Sequence, residues 1–81
     1  MNKVIFITGP WCKACKAIKP ITAEICQKNK IEMVVLDMVQ DEEECIKYDP
    51  KGLPFIVYGD RAIAGSACSR SSIEALVRSK Q

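Results

Sequence analysis

The chain predicts an α/β fold: a four-stranded mixed sheet with helices on both faces, in the order strand, helix, strand, helix, strand, strand, helix (βαβαββα). Three observations carry this reading. Two β-branched runs, KVIFIT (Lys3 to Thr8) and IEMVVLD (Ile31 to Asp37), bracket a stretch whose apolar residues recur at helical spacing, the pattern of a βαβ crossover. Further on, PFIVYGDRAIAG gives two short strands around the two-residue loop Gly59-Asp60, which suits a primed turn. The length, 81 residues, is enough for one core and too short for two, so a single domain over residues 1–81 is expected.

The elements follow in order. KVIFIT ends at Gly9-Pro10 and is apolar without alternation, so both its faces should be covered. From Cys12 to about Asn29, Ala14, Ala17, Ile18, Ile21 and Ile25 form an apolar stripe, and the lysines at 13, 16, 19 and 28 are left for solvent. Pro20 lacks the N–H that would reach the Lys16 carbonyl, yet the period continues beyond it, so the helix should kink there rather than stop. IEMVVLD reads as a second buried strand, parallel to the first because βαβ crossovers are right-handed. Asp41 and Glu44 have capping-box spacing for a short helix ending near Tyr48. Ser71 and Glu74 repeat that spacing before the stripe Ile73, Leu76, Val77 of a last helix.

Composition removes several function classes. Net charge is +2 and the basic residues are dispersed, so the electrostatic footprint of a nucleic-acid binder is missing. The opening apolar run is about five residues, below the roughly 7–15 of a secretory leader, and no run approaches a membrane span. A cytoplasmic monomer that binds neither nucleic acid nor membrane is expected. Cysteines at 12, 15, 26, 45 and 68 are many for this length, and an odd number cannot all pair internally. In a reducing compartment a conspicuous pair is catalytic, redox-sensing or metal-binding.

That pair lies in ITGPWCKACKAIKP, residues 7–20. A bare Cys-x-x-Cys is weak, because a shuffled chain with five cysteines has one about one time in four. Its placement says more. A strand, a short turn and a helix beginning at Cys12 put that sulfur where unpaired N–H groups and the helix dipole favour an anion. Such a site lowers a thiol pKa from near 8.5 to about 3.5–7.5, with Lys13 and Lys16 adding a smaller, screened contribution. Cys15, one turn along and deeper, is suited to attack a mixed disulfide formed at Cys12. A closed zinc site needs about four ligands, and the chain has no histidine and no second Cys-x-x-Cys. Cys26 lies on the same side of the helix as Cys15 and reads as a small core residue, as does Cys45; Cys68, before the last helix, reads as exposed and open to a regulatory role.

PWCKACKAIKP resembles the active-site segment of the thioredoxins, with tryptophan, Cys-x-x-Cys, lysine and a helix-kinking proline five residues after the second cysteine. KYDPKGLPFIVY is similar to that family's segment around its cis-proline, which falls on Pro54, and AIAGS is similar to the glutaredoxin segment near glutathione's γ-glutamyl end. The similarity runs from Lys3 to Val77, without the strand and helix that open a full-length thioredoxin. It implies a minimal thioredoxin-like fold and a thiol–disulfide oxidoreductase that reduces protein disulfides. Cys12 is then the nucleophile and Cys15 the resolving thiol. Trp11, Lys13, Leu53, Pro54 and Gly65 are assigned to substrate contact, and a cis Leu53–Pro54 bond offers the Leu53 backbone to an extended peptide as an added strand. No bound cofactor or metal is implied; the Cys12–Cys15 disulfide is recycled by a thioredoxin reductase or by glutathione.

The chain also departs from the pattern. Phe6 stands where thioredoxins have a buried aspartate that moves protons, so Cys15 lacks an obvious general base. Lys13-Ala14 and the region of Ser66 to Ser69 replace the tyrosine and aspartate of glutaredoxins, which counts against glutathione. Two other readings stay open at this point: a module of the same fold binding a metal or an iron–sulfur cluster, and a non-catalytic interaction protein.

Overall fold

The computed structural model describes residues 3–78. Within them β1 (Lys3–Thr8), α1 (Lys13–Lys28), β2 (Glu32–Asp37), α2 (Glu42–Tyr48), β3 (Phe55–Tyr58), β4 (Arg61–Ala64) and α3 (Arg70–Arg78) follow in the predicted order, with a 3₁₀ turn at Gly65–Ala67. The sheet order is β2-β1-β3-β4; β1 is parallel to β2 and antiparallel to β3, and β3–β4 is the antiparallel hairpin. Gly59 opens the hairpin loop at φ 67°, the positive value that a type II′ turn needs at its first central position.

The core follows from the two-residue period of the strands. Val4 and Phe6 of β1 and Ile56 and Tyr58 of β3 point to the face covered by α1 and α3, where they meet Cys15, Ile25, Ile73 and Val77. Ile5, Ile7 and Phe55 point to the opposite face, against Cys45 of α2. The uninterrupted apolar run of β1 is thereby buried on both sides.

β2 differs from expectation. It is an edge strand beginning at Glu32, half-buried rather than buried, with Val35 38% exposed. An apolar run reports that a strand has cover, but not whether it has a second neighbour; β2 has β1 alone.

α1 runs through Pro20 to Lys28. Its buried stripe is Cys15, Thr22, Ile25 and Cys26, whereas Ala14 and Ala17 are exposed. A stripe drawn through aliphatic residues alone starts one position early, because a cysteine and a threonine belong to it. The Thr22 hydroxyl donates to the Ile18 carbonyl at 2.9 Å, so its burial leaves no polar atom unsatisfied. The helix ends in a Schellman motif: Ile31 N–H donates to Cys26 O at 2.8 Å and Lys30 N–H to Gln27 O at 3.3 Å. Lys30 takes the left-handed conformation there, φ 57°, at a position that favours glycine. Lys30→Gly is therefore expected to raise stability by about 0.5–1 kcal/mol in urea unfolding; a lower midpoint would contradict this account of the turn.

Both capping boxes are corrected. Asp41 sits at the α2 N-cap, but its carboxylate accepts from Asp37 N–H at 2.9 Å instead of capping its own helix, and Glu44 pairs with Lys47 at 3.3 Å. The β2–α2 turn takes the aspartate because it needs acceptors for its own amides: Asp37 Oδ1 also accepts from Val39 and Gln40 N–H. For α3 the reciprocal pair is Ser69 and Ser72, each hydroxyl accepting from the other's N–H at 3.3 and 2.8 Å. The true start lies two residues before Ser71, with serine doing the work expected of Glu74. Arg70 then reaches across to Glu24 of α1 at 3.0 Å, which holds the Glu24 carboxyl below its ordinary range.

Candidate active site

β1 delivers the chain to one end of the sheet, and Gly9-Pro10 turns it into α1. Cys12 N–H donates to Gly9 O at 3.1 Å, closing that turn, and Cys12 becomes the N-cap of α1 with extended φ,ψ of −93°, 105°. As the cap, its Sγ accepts from Cys15 N–H at 3.1 Å. This is the bond a serine or aspartate oxygen makes at an ordinary helix start. α1 has no acidic residue in its first turn, in contrast to α2, which has Glu42, Glu43 and Glu44. The dipole and free amides at the start of α1 are thus left to the sulfur.

Cys12 and Cys15 form a disulfide with Cα atoms 5.3 Å apart. The two sulfurs are unequal: Cys12 is half-buried, and Cys15 is 1% exposed within the core cluster of Phe6 and Ile25. The other three cysteines are free and buried. Burial pushes the Cys26 thiol up; burial, with Asp41, Asp37 and Glu44 adding repulsion, pushes Cys45 up; burial pushes Cys68 up to about 11. Cys26 and Cys45 are core residues, as expected, the first from its spacing to Cys15.

Cys68 is a correction. It is 7% exposed, with its Sγ donating to Pro54 O at 3.4 Å. With Ser69 as the cap, Cys68 and Ile73 occupy the two positions of a hydrophobic staple, and both lie in the same core cluster. That spacing was readable once the cap was placed at Ser69.

The other assigned residues divide in two groups. Trp11 is 67% exposed beside the pair. A methyl group at Gly9 would lie 3.1 Å from Leu53 Cδ1 and 3.3 Å from the Trp11 ring, so the indole and Leu53 both border the space at Gly9. The Leu53–Pro54 peptide is cis, Pro54 is buried, and Gly65 N–H donates to Pro54 O at 2.9 Å. Leu53, Pro54 and Gly65 are thereby linked to one another and Trp11 lies close by across Gly9, whereas Lys13 is exposed on the first turn of α1. Among the described residues no group of three or more His, Cys, Asp or Glu is placed to hold a metal ion, and no helix is long and apolar enough to cross a membrane. The surface grooves at Arg61–Ile63 with α3 and at Val39–Glu44 do not include the pair.

A disulfide pair at the start of a crossover helix, together with a cis-proline entering β3 of a four-stranded mixed sheet, defines the thioredoxin-fold class. The comparisons agree. The family model described as Thioredoxin matches residues 2–79, and the chain belongs to the thioredoxin family. It is 33% identical over 73 residues to thioredoxin-1 of Caenorhabditis elegans, covering 83% of this chain and 64% of that protein. To the thioredoxin of Bacillus subtilis it is 31% identical over 51 residues, covering 60% and 49%. The chain thus matches less than two thirds of the length of either relative. In structure it is similar to Schistosoma mansoni thioredoxin (TM-score 0.86, 23% identity, 95% of this chain and 76% of that one). Thioredoxin 1 of Thermosipho africanus has the same fold (TM-score 0.86, 18% identity, 96% and 92%).

Proposed function

We propose that this chain is a thiol–disulfide oxidoreductase that reduces protein disulfides, acting as a single-domain cytoplasmic monomer over residues 1–81. The observation that carries the reading is the Cys12–Cys15 disulfide capping α1, with Cys15 N–H directed at the Cys12 sulfur. In the reduced protein the Cys12 thiolate attacks one sulfur of a substrate disulfide. A Cys12–substrate bond forms, and the other substrate sulfur leaves as a thiolate and takes a proton. Cys15 then loses its proton and attacks the Cys12 sulfur, so the Cys12–Cys15 bond forms as the second substrate thiol departs. Two electrons and two protons have passed to the substrate.

Trp11 and Leu53 supply the apolar contact and the Leu53 backbone pairs with an extended substrate segment, while Pro54 and Gly65 hold that segment in place and Lys13 borders it. Phe6, fully buried, takes the place of a carboxylate, and the buried polar side chain among the described residues is Thr22, so the Cys15 proton leaves to water. A thioredoxin reductase or glutathione returns the disulfide to the dithiol.

The test is insulin-disulfide reduction, run in parallel with a thioredoxin reductase system and with glutathione plus its reductase. The wild-type chain is expected to accelerate reduction in at least one arm, and the arm identifies the donor. Rates equal to those of a Cys12→Ser, Cys15→Ser double variant in both arms would overturn the reading.

A further inference from the structure

We propose that Cys68 is a positioning residue: with Gly65, its thiol holds the Pro54 carbonyl and so fixes the backbone on which substrate is received. The inference rests on the oxidoreductase reading above and deepens it.

Pro54 O has two donors from one short segment, Gly65 N–H at 2.9 Å and Cys68 Sγ–H at 3.4 Å. That segment is itself closed, because Cys68 N–H donates to Gly65 O at 3.1 Å. It forms a strap between β4 and α3. The chain just before Leu53 also lies on it: a methyl group at Gly52 would be 3.7 Å from Gly65 N and 3.8 Å from Gly65 Cα. Leu53–Pro54 is therefore held from two directions, by the strap at the carbonyl and by the close approach of Gly9 at the Leu53 side chain.

The thiol is suited to this and not to nucleophilic work. It is 7% exposed, and burial pushes it up to about 11, so it keeps its donor proton across the range in which Cys12 would operate. Substrate pairing needs the Leu53 N–H and C=O at a fixed height above Cys12, and reacting atoms tolerate little misplacement. An S–H donor is weak, so the effect is one of degree.

Four proteins decide it: wild type, Cys68→Ala, Cys68→Ser, and Cys68→Val, which fills the space without a donor. Kinetics use insulin and the small substrate bis(2-hydroxyethyl) disulfide, which has no backbone to pair. Cys68→Ala and Cys68→Val are expected to raise KM for insulin roughly two- to tenfold, with kcat, the small-disulfide rate and the Cys12 titration unchanged. Cys68→Ser, which restores a donor, should return KM toward wild type. Amide hydrogen exchange gives a readout independent of activity: Gly65 N–H should exchange faster in the alanine and valine variants than in wild type and the serine variant.

Unchanged KM and unchanged exchange in both donor-less variants would overturn the proposal, as would a serine variant no better than valine. A wild-type chain inactive on both disulfides would remove the oxidoreductase reading, while the exchange comparison would still decide the strap. If only the alanine variant fails to fold, valine against serine decides the matter.

Discussion

Cys12→Ser is expected to lower disulfide reduction by on the order of 10³-fold or more, because the chain then lacks a reachable thiolate. The remaining thiols cannot substitute. Cys15 is 1% exposed, and Cys26, Cys45 and Cys68 are buried with raised pKa values, so each is less accessible than the N-cap sulfur and the last three are held in the thiol form. Cys15→Ser should behave differently: Cys12 still attacks, but nothing resolves the product, and a mixed disulfide with substrate accumulates. Non-reducing electrophoresis after incubation with an oxidised protein substrate separates the cases. Adduct with Cys15→Ser and none with Cys12→Ser is the expected pattern. The reverse would assign attack to Cys15 and contradict the roles derived from burial.

Phe6→Ala is expected to cost about 3–5 kcal/mol. A chain of 81 residues has a total stability of roughly 4–12 kcal/mol, so the variant should lose about a quarter of it or more and unfold at a clearly lower urea concentration. Phe6 is fully buried and lies at the centre of the sheet, opposite Val35 of β2 and Ile56 of β3. It contacts the same cluster as Cys15 and Val77, which makes it a meeting point of β1, α1 and α3. A loss under about 1 kcal/mol would mean that the core collapses around the missing ring, contrary to this description. The same residue links stability to chemistry: a ring at this position strengthens the core and itself offers Cys15 no proton acceptor.

Much of the fold was legible because its signals are local. β-branched runs, a glycine with its hairpin loop, and a proline tolerated within α1 each act over a few residues. What was misread depends on which of several available partners a residue takes once the chain is folded. β2 looks like a buried strand until its position at the sheet edge is known. Asp41 looks like a cap until Asp37 N–H competes for its carboxylate. Ser71 lost its role to Ser69 because two serines one helical turn apart satisfy each other, which a search for glutamate at the third position passes over. The cysteine pair was legible because Cys12 follows a strand and a tight turn. Cys68 was not, since its staple with Ile73 shows only when the cap is placed at Ser69 rather than Ser71, and its hydrogen-bond acceptor is a carbonyl fourteen residues earlier. That Leu53 approaches Gly9 was hidden for the same reason: the two are far apart in the chain.

The claim beneath the proposed chemistry is that the amino end of α1 ionises the Cys12 sulfur. The most direct measurement is thiolate absorbance near 240 nm as a function of pH in a reduced Cys15→Ser, Cys26→Ala, Cys45→Ala, Cys68→Ser chain, with iodoacetamide alkylation followed over the same range. The account predicts one titration with a pKa below about 7.5 and rapid alkylation at neutral pH. A pKa at or above about 8.5, or a sulfur that resists alkylation at pH 7, would contradict it.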